Sequence, residues 1–495
     1  MIAALFLAAQ MEMHDHAHAH ERLGTVSFAS SCNAAAQPMI ARGVALLHSF
    51  WYEEAEKTFR AAADADPQCG IAWWGAAMSN YHQVWPTPYS PAELKRGIEA
   101  AEKAKAAGAK TERERMYIDA IAAFFHGENR PAYESAMESL VAKYPADDEA
   151  RIFYALALVA HGMSQPTDKT YAYQKKAAGI LNAMLKKHPE HPGIAHYLIH
   201  SFDYPALAPL ALDAAYAYSR IAPSSPHALH MPSHIFVRLG MWPETIDSNI
   251  ASAKAARDYA ARTHPGAMPF DALHAYDYLA YAYLQRGEDE KAKALVDELA
   301  SIESLDVENF AGYYALAAVP ARYAMERRRW AEAASLTVEP ASFPWERYAY
   351  AEAITAFARA VGAARSGNAA RAREDVVRLQ QLRQKLVDQK NAYWADQVEV
   401  QRRLADGWIA RAEGKNDEAL ALMRSAADLE DSMDKSPVTP GSIIPAREML
   451  ADLLLELNQP RQALEAYRAV LKDSPKRRNA LAGVKTASAR VASVQ

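Results

Sequence analysis

The chain has 495 residues, which is too many for a single compact core and predicts several domains or a repeat array. Apolar residues make up 51% of it and charged residues 23%, proportions that are typical of a soluble fold. The net charge is −5 and there is no basic block, which argues against nucleic acid as a partner. Alanine-rich segments dominate, and they predict helix because alanine loses no side-chain entropy there.

Residues 2–9 form an apolar opening that is too short to span a bilayer. It is typical of the apolar region of a secretory signal, and small residues follow at Ala8 and Ala9. No Lys or Arg precedes Arg22, so the charged segment that usually opens such a signal is missing. We expect residues 1–10 to be a signal peptide and the protein to be periplasmic or secreted. The alternative is a cytoplasmic protein with an apolar first turn. No later segment is long and apolar enough for a membrane span.

A pattern of 34 residues recurs from residue 36 onwards. Small residues at positions 8 and 20 allow the two helices of a hairpin to touch, and a bulky residue at position 24 fills the gap beside them. Proline at position 32 ends the second helix, because it lacks an amide donor and its ring clashes with the preceding turn. The unit that begins at residue 36 fits the pattern with Gly43, Leu46, Ala55, Phe59, Ala62 and Pro67. Further units begin at 273, 400 and 444, and weaker ones near 70, 114, 148, 192, 226 and 353.

This pattern resembles the tetratricopeptide repeat family along nearly the whole chain from about residue 36. Two regions also resemble a group of exported bacterial tetratricopeptide proteins without an established activity: SFWYEEAEKTFRAAADADPQCGIAWWGAAMS, and HPGIAHYLIHSFDYP with HALHMPSHIFVRLGMW. The resemblance implies an all-α fold, a right-handed superhelical solenoid of antiparallel helical hairpins. After a His- and Met-rich segment at 11–35, we expect repeats over 36–191, 192–300 and 301–495. The concave groove is expected to take a peptide, a protein or a small ligand.

Histidines are concentrated in the central repeats, 192–300. In the family, positions 2, 5, 9 and 12 of the first helix line the concave face, and this spacing keeps residues on one stripe of a helix. In the units at 192, 226 and 273, these positions hold six histidines and two aspartates: His196, His200, Asp203, His227, His230, His234, His274 and Asp277. Because adjacent helices pack about 8–10 Å apart, we expect the six imidazoles to converge on one pocket. Pro232 either kinks this helix or begins it, and in the second case His227 and His230 lie in a preceding turn.

These side chains predict a transition-metal site for copper, iron or zinc, because imidazole with carboxylate suits such metals. Met231 and the tract Met11–His20, with its four histidines, favour copper slightly; the tract is otherwise a solvated tail with opportunistic metal affinity. No organic cofactor is expected. Two alternatives stay open: histidines that are satisfied within a core, and a metal-free groove whose imidazoles bind acidic or C-terminal groups of a peptide.

Three functions are compatible with this pattern. The first is a binding protein whose central groove holds a metal. The second is a metal-dependent enzyme in which Asp203 or Asp277 is a ligand or a general base. The third is a metal-free scaffold that grips a partner's helix or peptide. No GxSxG, Walker, HExxH or Rossmann glycine pattern is present, so no catalytic residue is assigned. The insertion 434–448 is long for a loop between repeats, and such loops often carry function.

The chain has two cysteines and no CxxC motif, which excludes a zinc knuckle and a c-type haem site. Cys32 and Cys69 both lie near the start of the first helix in successive hairpins, on the same edge of the array. Together with export to an oxidising compartment, this placement predicts a disulfide between them.

Overall fold

The computed structural model describes residues 21–82, 84 and 89–493. Within these residues the regular structure is helical, apart from one isolated bridge between Met268 and Leu305. The prediction of an all-α fold built from helical hairpins is confirmed. No helix in the described part of the chain is both long and apolar enough to cross a membrane. The expected signal peptide at 1–10 and the four histidines of the tract Met11–His20 lie outside the described residues.

The chain divides into two compact units. Unit 1 takes the described residues of Met1–His161 together with Ala172–Ser201 and Ala214–Leu229. The helices that lie wholly or mostly in unit 1 are α1 (Gln37–His48), α2 (Tyr52–Ala65), α3 (Gly70–Met78), α4 (Pro91–Ala107), α5 (Glu112–Phe125), α6 (Arg130–Lys143), α7 (Asp148–Met163), α8 (Ala172–Leu185), α9 (Pro192–Phe202), α10 (Leu212–Ile221) and α11 (Pro226–His230).

Unit 2 takes Gly162–Tyr171, Phe202–Asp213 and the described residues from His230 onwards. It also contains two short 3₁₀ turns, Ala208–Ala211 and Trp345–Arg347. The helices of unit 2 are α12 (Pro232–Arg238), α13 (Trp242–Thr263), α14 (Phe270–Arg286), α15 (Asp289–Leu299), α16 (Phe310–Glu326), α17 (Trp330–Ala334), α18 (Ala349–Arg365), α19 (Ala369–Asp388), α20 (Ala392–Ala412), α21 (Asn416–Asp431), α22 (Ala446–Glu456), α23 (Pro460–Asp473) and α24 (Arg478–Ala492).

Both units follow the same packing rule. In unit 2, α14 contacts α16, α16 contacts α18, α18 contacts α20 and α20 contacts α22, while each of these helices also packs on the helix that follows it. In unit 1, α1 contacts α3 and α3 contacts α5 in the same way. This alternation is the packing of stacked antiparallel hairpins. Within unit 2 the last helix, α24, also contacts α14.

Phe59 shows why the pattern asks for small residues. Its side chain is fully buried and lies against Gly43 on α1 and Gly75 on α3. A Cβ atom added at Gly43 would lie 2.6 Å from the Phe59 ring, and one added at Gly75 would be closer still. Phe59, at position 24 of the repeat, therefore fits between α1 and α3 only because Gly43 and Gly75 leave room for its ring.

Cys32 and Cys69 are joined by a disulfide, with their Cα atoms 5.1 Å apart, and the prediction from their placement is confirmed. The bridge links the segment before α1 to the residue that precedes α3. Cys69 is also the N-cap of α3, since its Sγ accepts a hydrogen bond from the backbone amide of Ala72.

Pro232 begins a helix and does not kink one. Helix α11 ends at His230 and helix α12 begins at Pro232, a position where the missing amide hydrogen is tolerated. The second of the two sequence-based alternatives is therefore correct. His227 and His230 lie on the short helix that precedes α12, whereas His234 lies on α12.

Candidate metal centres

The structure brings the six predicted histidines together as two groups of three. The unit-1 triad is His196, His200 and His227, and the unit-2 triad is His230, His234 and His274. Each residue offers one ring nitrogen, and within a triad these nitrogens lie within 4.8 Å of one another. Because the two triads belong to different units, convergence of all six histidines on one pocket stays a prediction.

The unit-2 triad draws its imidazoles from three helices. His230 ends α11, His234 lies in the first turn of α12, and His274 lies near the start of α14. The Nε2 atoms of His230 and His234 are 3.0 Å apart. The ring centre of His274 lies 4.2 Å from that of His230, and all three side chains are buried.

Asn249, on α13, fixes the proton of His230. Its amide Nδ2 donates to the carbonyl oxygen of Thr245 at 2.7 Å, so its Oδ1 is the atom that faces His230 Nδ1, at 2.6 Å. A carbonyl oxygen can only accept a hydrogen bond. His230 therefore carries its proton at Nδ1 and presents a lone pair at Nε2.

Asp203 fixes the proton of His234 in the same way. Burial alone raises the pKa of this carboxyl, but Lys435, Arg238 and His234 outweigh it and hold the pKa well below its usual range. The ionised Asp203 accepts hydrogen bonds from Arg238 Nε at 2.8 Å and from His234 Nδ1 at 3.0 Å. His234 consequently also presents its lone pair at Nε2.

Two lone pairs thus face each other across the 3.0 Å that separate His230 Nε2 from His234 Nε2. A second proton is disfavoured, because burial lowers the pKa of His234 by more than the nearby Asp203 raises it. A metal ion fits this gap: two ligands that are each about 2.0–2.1 Å from a tetrahedral ion lie about 3.3 Å apart. Nδ1–H groups that donate to a carboxylate or carbonyl are the usual outer support of metal-binding imidazoles. The donor set of the unit-2 triad therefore suits a transition-metal ion.

The unit-1 triad repeats part of this arrangement. His196 and His200 lie on α9 and His227 lies on α11. His196 Nδ1 donates to the backbone carbonyl of His48 at 2.6 Å, which leaves its Nε2 lone pair directed at His227 Nε2, 3.2 Å away. The ring centre of His200 lies 4.8 Å from that of His196. The first imidazole of this triad is thus oriented by the same principle as those of the unit-2 triad.

Phe50 covers the unit-1 triad with an apolar face. The centre of its ring lies 4.3 Å, 5.7 Å and 5.3 Å from the ring centres of His196, His200 and His227. Burial, followed by repulsion from His200 and His227, lowers the pKa of His196 well below its ordinary value. The imidazole is therefore neutral at pH 7, which is the form that binds a metal.

The two predicted aspartates have different surroundings. Asp203 contacts the unit-2 triad through His234 Nδ1, the nitrogen that faces away from the other histidines. Asp277 is fully buried and pairs with Arg322, whose Nε donates to its Oδ1 at 2.6 Å. In this structure Asp203 orients His234, and Asp277 anchors a buried arginine.

Sequence reasoning missed four residues that bear on these sites. Asn249 gave no signal, because a polar residue in the middle of a helix is usually solvent-exposed. The other three form a further cluster with a carboxylate between two imidazoles: His48, Glu149 and His191. About a hundred residues separate His48 from Glu149, and about forty separate Glu149 from His191, so no local spacing in the sequence could have indicated this cluster.

The insertion 434–448 borders a cavity of about 780 Å³ in unit 2. Lys435 and Thr439 of the insertion, Arg238 of α12 and Trp394 of α20 are among its lining residues. Lys435 Nζ lies 3.3 Å from Asp203 Oδ2, so the loop reaches the carboxylate that orients His234. The prediction that this loop carries function is not tested by the geometry alone.

No protein-family model matches the sequence, and no curated protein matches it. Solved structures to which the chain is similar include tetratricopeptide-repeat proteins. Human IFIT1, as a dimer with PPP-AAAA, is 14% identical with a TM-score of 0.41, over 89% of this chain and 87% of that one. Yeast Tom70 is 12% identical with a TM-score of 0.33, over 93% and 96%. The fold is a tetratricopeptide-type repeat. The stacked hairpins of this chain show it, and similarities this low carry nothing about function.

Proposed function

We propose that this protein is a metal-binding tetratricopeptide-type solenoid in which each histidine triad holds one transition-metal ion. The observation that carries the proposal is the unit-2 triad, where Asn249 and Asp203 place the protons of His230 and His234 at Nδ1. Two imidazoles held with their Nε2 lone pairs facing each other at 3.0 Å supply two ligand atoms that one cation can bind.

The chemistry of the ligand atoms limits which metals the triads can bind. Three imidazoles suit zinc, copper, iron and nickel, whereas calcium and magnesium require oxygen ligands. Three protein ligands around a tetrahedral ion also leave the fourth position for water or a ligand. Such a site is compatible with metal storage or transfer and with metal-assisted catalysis. Because the sequence has no recognised catalytic motif, we favour a metal-binding protein over a metal-dependent enzyme.

The test is a count of bound metal. Purified protein is loaded with Zn²⁺, freed of excess metal by gel filtration and measured by elemental analysis. His234→Ala and His196→Ala are each expected to lose one equivalent. His126→Ala, which removes an exposed histidine outside both triads, serves as the matched control and is expected to lose none.

A second form of the protein separates the triads from the N-terminal tract. In this form the four histidines of the tract are replaced by alanine: His14, His16, His18 and His20. The metal bound by the triads is expected to stay in place. Undiminished metal in both triad variants, with loss only when the tract is changed, would refute the proposal and favour a metal-free groove that binds a peptide or protein.

We also propose that the protein works in an oxidising compartment, periplasmic or extracellular. The Cys32–Cys69 disulfide supports this, since such bonds persist mainly outside the reducing cytoplasm. Trapping free thiols in intact cells with a maleimide reagent tests it. Labelling of both cysteines in the native protein would contradict export.

A further inference from the structure

His48, Glu149 and His191 form a third cluster in unit 1, with a donor set different from that of the triads. His48 Nε2 lies 2.9 Å from Glu149 Oε2, and His191 Nε2 lies 3.0 Å from Glu149 Oε1. His48 ends α1, Glu149 lies in the first turn of α7, and His191 directly precedes α9. Three segments that are distant in sequence thus meet on one carboxylate.

The cluster encloses a buried negative charge. Glu149 and His191 are each 4% exposed and His48 is 0% exposed. Each of its two carboxylate oxygens accepts a contact from one imidazole, His48 at Oε2 and His191 at Oε1. In the described part of the chain no Lys or Arg lies within ion-pair distance of Glu149. The carboxylate and the two imidazoles that contact it can therefore take a cation as their shared partner without competing with a Lys or Arg.

The proton of His48 can move to suit such a cation. His48 Nδ1 lies 2.9 Å from the hydroxyl of Tyr197, a group that both donates and accepts. With no ion, Tyr197 donates to Nδ1, and Nε2–H donates to Glu149. With an ion, Nδ1–H donates to the Tyr197 oxygen and Nε2 offers its lone pair. His191 Nδ1 is buried and has no hydrogen-bond partner among the described residues, so with no ion its proton lies at Nε2 and is donated to Glu149. With an ion, the proton moves to Nδ1 and Nε2 offers its lone pair.

Gly193 shows that the chain makes room for the His48 ring at this place. A Cβ atom at Gly193 would lie 2.5 Å from His48 Nδ1, which is closer than real contacts allow. The start of α9 therefore approaches the imidazole only because residue 193 has no side chain.

From this geometry we infer that His48, Glu149 and His191 form a third metal site, which takes a divalent first-row cation such as Zn²⁺ through two imidazoles and one carboxylate. One ligand atom from each residue lies within 4.8 Å of the other two, and the contacts of 2.9 Å and 3.0 Å need to widen by only about 0.3–0.4 Å to hold a tetrahedral ion bound at about 2.0–2.1 Å. The site is closed to solvent, and its ion ties α1, α7 and the segment before α9 together. Its role is structural, and it is independent of the two histidine triads.

The test removes both triads and counts the metal that remains. Protein carrying His196→Ala and His234→Ala, loaded with Zn²⁺, is expected to retain one equivalent, and adding Glu149→Gln is expected to reduce this to none. Adding Glu114→Gln instead is the matched control. Glu114 is also a buried glutamate of unit 1, but its carboxylate accepts hydrogen bonds from the Ser31 hydroxyl and the Thr111 backbone amide and not from histidine.

Thermal unfolding supplies a second readout. Extraction of Zn²⁺ by EDTA is expected to lower the melting temperature of the double variant but not that of the triple variant, because an ion bound only by the folded state stabilises it. A folded double variant with no zinc overturns the inference, whereas equal zinc in wild type and double variant overturns only the proposed triads.

If the double variant does not fold, single changes in the otherwise wild-type protein test whether the third metal site exists. Glu149→Gln and Gly193→Ala are each expected to lower the zinc count by one. An unchanged count in a folded Glu149→Gln protein would refute the third site.

Discussion

Asn249→Ala is the sharpest test of how the unit-2 triad is held. The change removes the oxygen that keeps the His230 proton at Nδ1, a contact of 2.6 Å. The proton can then move to Nε2 and donate to His234 Nε2, 3.0 Å away. An incoming metal must displace this hydrogen bond, at a cost of about 1 kcal/mol.

Loss of orientation adds to that cost. Fixing an imidazole through its second nitrogen contributes a further ~1 kcal/mol, so the sum is about 2 kcal/mol, or roughly 30-fold in affinity. This agrees with the 10–100-fold losses that are typical when an outer hydrogen-bond partner of a metal ligand is removed. The variant is therefore expected to bind Zn²⁺ at the unit-2 triad with a Kd roughly 30 times that of the wild type.

The assay is competition for Zn²⁺ with a chromophoric chelator at fixed pH, in His196→Ala protein so that the unit-1 triad does not contribute. Asn80→Ala is the matched control, because Asn80 is also a buried asparagine whose amide donates to the carbonyl four residues earlier, although it lies in the turn after α3. Its Oδ1 accepts from Arg96 and not from a histidine. Equal zinc affinity in the Asn249→Ala and Asn80→Ala proteins would refute the reasoning about proton positions.

Three further changes test the fold and its charges. Replacing Cys32 and Cys69 by alanine removes a cross-link between residues 37 apart in sequence and is expected to lower the stability of unit 1 by about 4 kcal/mol. Hydrogen exchange of the backbone amides in α1–α3 measures this loss, and unchanged exchange would contradict the prediction. Burial raises the pKa of Glu430 from 4.5 to about 7, so the folded state holds a proton that the unfolded chain releases, and stability falls as the pH rises through that window. Glu430→Gln is therefore expected to stabilise the protein by ~3 kcal/mol at pH 8 and hardly at pH 4, in urea titrations at both pH values. Gly75→Ala, which pushes a methyl group into Phe59, is expected to cost about 1–3 kcal/mol in thermal unfolding, and an unaltered melting temperature would show that the ring can move aside.

The fold could be predicted because the residues that determine it act within a single helical hairpin. Gly43, Phe59 and Pro67 each act within one hairpin, through a close contact, a filled gap and a missing amide donor. The placement of Cys32 and Cys69 followed from the same frame, and their bond is present. Pro232 was ambiguous in sequence, because a proline is equally compatible with a kink and with the first position of a helix.

The candidate site could be predicted only in part. The repeat frame identified the six histidines, but placing them on one stripe assumed a continuous helix through Pro232. It also treated Asp203 and Asp277 as equivalent, because carboxylates at equal positions in the pattern look alike. The structure distinguishes them: Arg322 pairs with Asp277, while Asp203 orients His234.

By itself the sequence determined the helices, the hairpin repeat, the disulfide and the identity of the clustered histidines, because each depends on spacing within one or two repeats. The tertiary structure alone decided which histidines share a triad and which ring nitrogen holds the proton. Those properties depend on Asn249 and Asp203, which approach the imidazoles from other segments of the chain. It alone also brought His48, Glu149 and His191 together, since contacts between segments this far apart arise only when the hairpins stack.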